Sequence, residues 1–571
     1  MHYLALAVDY DGTIAHDGRV DAATLAALRR LRAGARRLVL VTGRELPDLR
    51  AVMPELDLFD LVVVENGALL FEPASGEETP LAEPPPERFV ARLREMEVSP
   101  LSVGSSIVAT WEPNETVVLA AIRDLGLDLQ ITFNKGAVMV LPGGVNKATG
   151  LAAALAKLEL SALNCVGIGD AENDLPFLEA CGLGVAVANA LPSVKERVAL
   201  VTEGVRGAGV AELVDRILAS DLAELDRLET ARRVALVVDA EEREEAYAPQ
   251  RESLLITGQS GGGKSTLVLG LLERIAARGF QWCVLDPEGD YEGTEGAVGE
   301  GTAESAPEAG QVLDLLRKTQ QGVVASMLAL KLADRPAFLA RLLPEVLALR
   351  ARVGRPHVVV VDEAHHMLSR DWDPGGAHVP ADLEGFIFIT TTPDQVSPRV
   401  LACVNRLLVV GREAGRSVAA FCRARGLPEP HGALASIADP EPGDALLFDP
   451  GSGALRLMTT IPGTGERRRH RLKYAEGKLG EDTSFWFRGP EGKLKLRAHN
   501  LILFLDMGDG VDAETWEFHR RRGDFSLWMR EKVKDAELAE EVAAVENGGE
   551  DVEAARAAVR AAVERRYTAP G

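Results

Sequence analysis

Val8-Asp9-Tyr10-Asp11-Gly12-Thr13 decides how the first part of this chain is read. The apolar run Leu4 to Val8 before it has the length and composition of a buried strand. Two carboxylates follow at the strand's C-terminal end, where open α/β sheets bind their ligands. In extended backbone, positions i and i+2 project to the same side, so Asp9 and Asp11 are expected to face one small site. Like charges that close are costly unless a cation or a shared proton compensates. Gly12 permits a turn and Thr13 adds a hydroxyl. The set suits a carboxylate nucleophile beside an acid/base carboxylate and a hard cation.

Outward from that stretch, Val20 to Arg32 carries leucines at helical spacing, with Asp21 as N-cap and Gly34 as stop. A second strand is expected over Leu38 to Thr42, ending in Thr42-Gly43-Arg44. A third, Leu61 to Val64, ends in Glu65-Asn66-Gly67. Strands alternating with helices imply a parallel, doubly wound sheet. The breaker cluster Pro84-Pro85-Pro86 then opens a stretch read as an inserted small α/β module, about 80–135. Asn146-Lys147 starts a helix with an ammonium in its first turn, which is unfavourable unless an anion such as phosphate sits there too. The strand Cys165 to Ile168 ends in Gly169-Asp170, with Asp174 four residues on, and both carboxylates suit one Mg²⁺.

Asp9-Tyr10-Asp11-Gly12-Thr13, Thr42-Gly43-Arg44, Asn146-Lys147 and Gly169-Asp170 with Asn173-Asp174 resemble the four motifs of haloacid dehalogenase-like (HAD) phosphatases. The cap between the second and third motifs resembles the Cof-type (IIB) branch. The resemblance implies that Asp9 attacks phosphorus and forms an aspartyl-phosphate. Asp11 would protonate the leaving oxygen and then activate water, and Thr42 and Lys147 would hold phosphoryl oxygens. Asp9, the Asp11 carbonyl, Asp170 and Asp174 would hold Mg²⁺. Arg44 and Glu172 stand near the motifs, each either at the site or a surface charge. Trp111 and Asn134-Lys135 are cap candidates to line it, a core Trp and a surface Lys being the plainer readings.

The second half has its own centre. A strand, Leu254 to Thr257, runs into Gly258-Gln259-Ser260-Gly261-Gly262-Gly263-Lys264-Ser265-Thr266 and then an apolar helix, the context a phosphate loop requires. Gly258, Gly261 and Gly263 let backbone N–H groups approach the phosphates of ATP, with Thr266 closing the motif. Lys264 reaches the β/γ oxygens and Ser265 ligates Mg²⁺. Val358 to Val361 is a strand ending in Asp362-Glu363-Ala364-His365. Asp362 suits the Mg²⁺ shell, and Glu363 suits polarisation of an attacking water. Together with Asp286-Pro287-Glu288-Gly289-Asp290-Tyr291 and Thr390-Thr391-Thr392-Pro393, these resemble HerA/FtsK-type P-loop ATPases. That family usually has Gln near Thr390–Thr392, for which Gln395 is a displaced candidate. It works on nucleic acid or other polymers as hexameric rings, with a neighbour's arginine completing each site. Arg399, Arg406, Arg412 and Arg416 are the candidates here.

The 571 residues suit ~3–5 domains. The net charge of −23 argues against a broadly basic nucleic-acid binder. Five scattered cysteines suit reduced thiols in a cytoplasmic protein. No apolar run spans a bilayer, and the N-terminus does not read as a signal peptide. After the basic run Arg467 to Arg471, an aromatic-rich stretch reads as a small, mostly helical module packed on its own rings. A last amphipathic helix, Val552 to Arg566, is a candidate for self-association.

The expected architecture is α/β. A Rossmann-like HAD core with its cap spans 1–222, a P-loop NTPase domain 223–465, and an aromatic-rich helical module 466–571. The expected function is a Mg²⁺-dependent phosphatase for a small phosphate monoester, a sugar phosphate or phosphoglycolate-like ester, fused to an ATP-hydrolysing domain. A ring ATPase acting on nucleic acid, with the HAD unit as effector, is the alternative. A nucleotide-gated scaffold whose C-terminal module binds a partner is the third reading. Homo-oligomers fit the ring reading.

Overall fold

The computed structural model describes residues 2–134, 136–225, 233–259, 262–371, 383–463, 474, 479, 483–533, 535–549 and 551–567. Its first sheet has eight strands, in the order Leu200–Val201, Leu183–Ala186, Cys165–Gly169, Ala5–Asp9, Arg37–Val41, Leu61–Val64, Leu69–Glu72 and Glu77–Pro80. The first six are parallel and the last two turn back antiparallel. Every residue of Ala5–Asp9 and Cys165–Gly169 is buried, as expected of strands covered on both faces. Because Asp9 pairs with Val41 and Val8 with Ile168, Asp9, Thr42 and Asp170 finish side by side. Helix Ala22–Ala33 starts on Asp21, whose side chain accepts from Thr24 N–H, and stops at Gly34. Helix Lys147–Lys157 starts with a reciprocal capping box between Asn146 and Thr149.

The inserted cap is a four-stranded antiparallel sheet, ordered Leu129–Asn134, Ala137–Pro142, Val108–Trp111, Ser102–Val103. Helices Glu87–Glu95 and Glu115–Asp124 pack on it through Phe89, Leu93, Val118 and Ile122. The cap therefore runs past residue 135, because the glycine break at Gly136 is a hairpin turn within it.

The second sheet has eleven strands. Seven are parallel, in the order Ala297–Glu300, Gly322–Ser326, Trp282–Asp286, Val358–Val361, Phe386–Thr390, Leu254–Gly258, Arg406–Val410. Asp444–Phe448, Leu455–Thr460, Val234–Val238 and Glu244–Tyr247 extend it antiparallel. Phe386–Thr390 separates the phosphate-loop strand from the strand carrying Asp362.

The two sheets meet at the starts of their strands. Asn164, just before Cys165, lies 3.2 Å from Nε2 of His357, just before Val358. Arg317 pairs with Glu159 at 2.9 Å and Arg355 donates to the Glu159 carbonyl at 3.1 Å. Each strand's chemistry is at its other end, ~15 Å away at about 3.3 Å per residue.

At the C-terminal side, the hairpin Phe485–Phe487/Leu496–Ala498 joins helices between Leu501 and Tyr567 around Phe485, Phe487, Phe504, Trp516, Phe525 and Trp528. The aromatic anchors are packing residues, as expected. Helix Val552–Tyr567 buries Ala555, Val559, Ala562 and Val563 in this core, so its apolar face is covered within the chain and is not left for self-association. The run Arg467 to Arg471 lies outside the described residues.

Candidate active sites

Asp9 is the last residue of its strand and is 4% exposed. The Lys147 ammonium, in the first turn of its helix, donates to Asp9 Oδ1 at 2.6 Å and Asp174 Oδ1 at 2.5 Å. The other Asp174 oxygen accepts from the backbone N–H groups of Asp170 and Ala171, at 2.9 and 3.0 Å. Burial, and then the Asp174 carboxylate, push the Asp9 pKa up to about 7 against the pull of Lys147. Burial pulls the Lys147 ammonium down, but Asp174 and Asp9 outweigh it and hold its pKa above the usual lysine value. Oxygens of Asp9, Asp170 and Asp174 lie within 4.8 Å of one another. An all-carboxylate set of this kind fits a hard cation such as Mg²⁺. Asp174, with both oxygens engaged, is the least free of the three to ligate.

Thr42 is buried, and its hydroxyl accepts from the Arg44 N–H at 3.2 Å. Asp11 departs from the expected geometry. The strand ends at Asp9 and turns, so alternation does not carry to Asp11. Its carboxylate is gripped by Arg44, Nε to one oxygen at 2.7 Å and Nη2 to the other at 2.8 Å. Asp11 thus stands outside the Asp9–Asp170–Asp174 cluster, and Arg44 belongs to the site through it. Glu172 is exposed and accepts from the Ser193 hydroxyl, so it is a surface charge. Trp111 is 53% exposed at the end of a cap strand, not a core residue. Asn134 ends the cap's edge strand, two strands from that of Trp111, and Lys135 lies outside the described residues. Sequence reasoning passed over Glu65 and Asn66, both buried at φ near +50°. Only the Asn66-Gly67 pair hinted at a turn there.

In the second unit, Gly258 has φ +152°, and a Cβ there would stand 2.2 Å from the Val410 carbonyl oxygen, so only glycine fits. Gly263, at φ +92°, opens the helix Lys264–Ala277. Gly261 lies outside the described residues, and Thr266 is exposed. Lys264 folds back onto the carbonyls of Gly258 and Gln259, at 2.9 and 3.1 Å. Ser265 donates to Asp290 at 2.8 Å. Asp286, its pKa pushed up to about 6 by burial, accepts from the N–H groups of Gly289, Asp290 and Tyr291 and so shapes that acidic loop. Burial raises the pKa values of Asp362 and Glu363 and lowers that of Lys264. Oxygen donors Ser265, Asp290 and Asp362 around the phosphate loop again fit Mg²⁺.

Glu363 sits at φ +45°, with His365 Nδ1 3.2 Å from its carboxylate and 3.0 Å from the Thr390 hydroxyl. Glu363, His365 and His366 are also grouped closely enough to share an ion. Thr390 thus occupies the strand end where glutamine was expected, linked to Glu363 through His365. Gln395 is exposed and donates to Asp394. Arg406 is at the start of its strand, away from the phosphate loop, clamped by Glu245 and Glu252 at 2.7 and 3.2 Å. That removes it as a candidate to complete a neighbour's site. Arg399, Arg412 and Arg416 are exposed.

Two family models match separate stretches of the chain. The model for haloacid dehalogenase-like hydrolases matches residues 6–94 and 120–214. That for the central domain of helicase HerA matches residues 251–332. A phosphoglycolate phosphatase of Methanothermobacter thermautotrophicus is 33% identical over 222 residues, 38% of this chain and 98% of that protein. Another, of Methanosarcina acetivorans, is 29% identical over 38% of this chain and 96% of its own. Among solved structures, a haloacid dehalogenase-like hydrolase of Bacteroides thetaiotaomicron covers 38% of this chain and 99% of its own, at 20% identity and a TM-score of 0.34.

Proposed function

Because this chain belongs to the haloacid dehalogenase-like hydrolases, as a phosphatase joined to a HerA-type domain, we propose that residues 1–222 hydrolyse a small phosphate monoester through an aspartyl-phosphate. The observation that carries this is the buried Asp9, bound to Lys147 and grouped with Asp170 and Asp174. The Asp9 oxygen not held by Lys147 attacks phosphorus in line, and the ester oxygen leaves with a proton from Asp11. Water, deprotonated by Asp11, then attacks the aspartyl-phosphate, and phosphate departs from a regenerated Asp9. Thr42 and Lys147 hold phosphoryl oxygens, and Arg44 aims Asp11. Asp9, the Asp11 carbonyl and Asp170 would hold Mg²⁺, with Asp174 supporting them. The cation would offset charge on the transferring phosphoryl group.

The relatives' names point to phosphoglycolate, a small phosphorylated carboxylate, as the class to try first. In residues 223–465, Gly258, Gly261, Gly263, Lys264, Ser265 and Thr266 would bind ATP. Asp362 would join Ser265 in the Mg²⁺ shell, and Glu363 would polarise the attacking water. Residues 466–571 are the third unit. Among the described residues no helix is long and apolar enough to cross a membrane. None of the five cysteines is in a disulfide, which supports placement in the cytoplasm. A second reading, a ring motor on nucleic acid, is favoured by the HerA match alone.

A phosphatase screen with Mg²⁺ over 2-phosphoglycolate, sugar phosphates and nucleotides, with and without ATP, decides between them. Turnover of 2-phosphoglycolate or a sugar phosphate is the expected result. Turnover of nucleotides only, or none until DNA is added, would move the assignment to the nucleic-acid machine.

A further inference from the structure

Glu65-Asn66-Gly67 takes no part in the chemistry above, yet it touches three of the four motif stretches around the site. Its backbone holds the Thr42–Arg44 turn, with Glu65 N–H donating to the Arg44 carbonyl at 2.9 Å and Asn66 N–H to that of Thr42 at 3.1 Å. Gly67, at φ +105°, lies against the residue before Lys147, and a Cβ there would stand 2.0 Å from the Asn146 carbonyl oxygen. The Asn66 amide accepts from Asn173 at 3.4 Å and donates to the cap's Met139 sulfur at 3.0 Å. The Glu65 carboxylate, in a residue 2% exposed, accepts from three successive cap N–H groups, Ser105, Ser106 and Ile107, at 2.9, 2.8 and 3.2 Å.

Successive N–H groups converging on one carboxylate form an anion-binding nest, here closed on a side chain of the other layer. Adjacent residues at φ +51° and +54° are ordinary for a hairpin turn, but burial of a charged group against a separate layer is not. The cap face so seated carries Met139 and Ala109, which pair, and by alternation Trp111.

We propose that Glu65 is a positioning residue that seats the cap on the catalytic loops and so sets how a small ester is enclosed over Asp9. The catalytic consequence rests on the phosphatase reading above. The seat itself rests on the hydrogen bonds.

Two variants test it, Glu65→Ala from the core side and Gly104→Ala from the cap side. A Cβ on Gly104 would stand 2.9 Å from the Glu65 carboxylate. In the full chain, each should speed amide exchange at residues 105–107 by at least about tenfold while exchange in the central strands stays slow. Each should raise KM for 2-phosphoglycolate by about tenfold with kcat nearly unchanged. Glu65→Gln, which keeps an acceptor for Ser106 and Ile107, should restore much of both. ATP hydrolysis should be unaffected, which reports that the second unit is intact, while the slow exchange of the central strands reports that the first is folded. Faster exchange at 105–107 with unchanged KM would overturn the positioning role, and unchanged exchange would overturn the seat. Should Glu65→Ala fail to fold, Gly104→Ala decides by the same two readings. Absence of phosphatase activity in the unaltered chain would remove the functional reading, while exchange would still decide whether Glu65 seats the cap.

Discussion

The two sites place their lysines differently. Lys147 is already bound to the carboxylates it works beside, Asp9 and Asp174, in a fully buried cluster. Lys264 instead rests on two backbone carbonyls, and Asp290 and Glu363 lie near it without its donating to either. The first site has its lysine ion-paired in the folded chain, with three carboxylates around one ammonium and a cation left to offset the rest. The second has acids grouped without an ion-paired lysine, so under the proposed function nucleotide and cation would complete it. The first is the geometry of preorganised electrostatics. The second fits a site whose state depends on its ligand.

The sharpest way to break this contrast is to remove one centre and watch the other. Asp9→Asn should lower phosphatase turnover by roughly 10⁴-fold or more, since nothing replaces the nucleophile. ATP hydrolysis should stay as it was, since the two sites lie beyond opposite ends of strands that meet at Asn164 and His357. Lys264→Ala should do the reverse, with ATP hydrolysis falling about 10²-fold or more and phosphatase activity surviving. Steady-state assays of both activities on both variants check this. Loss of both activities in Lys264→Ala would mean that the first site is not complete without the second.

Much of this was legible in the residues, for a physical reason. Asp9, Thr42 and Asp170 end buried strands of one parallel sheet, and strand ends in such sheets come together by topology alone. The phosphate loop was legible because its function lies in contiguous backbone. What was not legible depends on partners distant in the chain. Asp9 and Asp11 were expected to face one small site, and the partner that takes the Asp11 carboxylate is Arg44, 33 residues on. Glu65 looked like the end of a strand, and its partners are cap N–H groups 40 to 42 residues away. The cap was expected over about 80–135, and the strand Ala137–Pro142 joins it through pairing with Leu129–Asn134, which a boundary drawn along the chain does not show.

A smaller effect sharpens the electrostatic side. Burial and Asp174 raise the Asp9 pKa to about 7, so below that pH a cation must displace a proton to bind there. Raising the pH through 7 should therefore strengthen Mg²⁺ binding at the phosphatase site, by about tenfold between pH 6 and 8 for one displaced proton. Calorimetric titration of Lys264→Ala with Mg²⁺ and no nucleotide, at both pH values and in two buffers, would report affinity and proton release together. A pH-independent affinity would mean that Asp9 is already ionised beside Lys147, and that the cluster is more fully balanced than burial suggests.

The smallest catalytic effect concerns Arg406, and it separates fold from function in the second unit. Its guanidinium is 17% exposed and bridges Glu245, on an outer antiparallel strand, to Glu252, just before the phosphate-loop strand. Removing it leaves Glu245 paired with Arg456 and Glu252 with Arg233, so the cost is about 1 kcal/mol. For a unit of this size that is a fall of ~3 °C in its unfolding temperature. The rate of ATP hydrolysis below that temperature should change less than about twofold, because Arg406 lies at the far end of its strand from Lys264. Calorimetry and hydrolysis assays on Arg406→Ala, beside Arg412→Ala, test this. Arg412 is exposed two residues beyond the other end of the same strand, on the side of the phosphate loop. Loss of hydrolysis in Arg406→Ala without loss of stability would reverse the assignment, because a residue that only ties strands together has no route to the rate except through the fold.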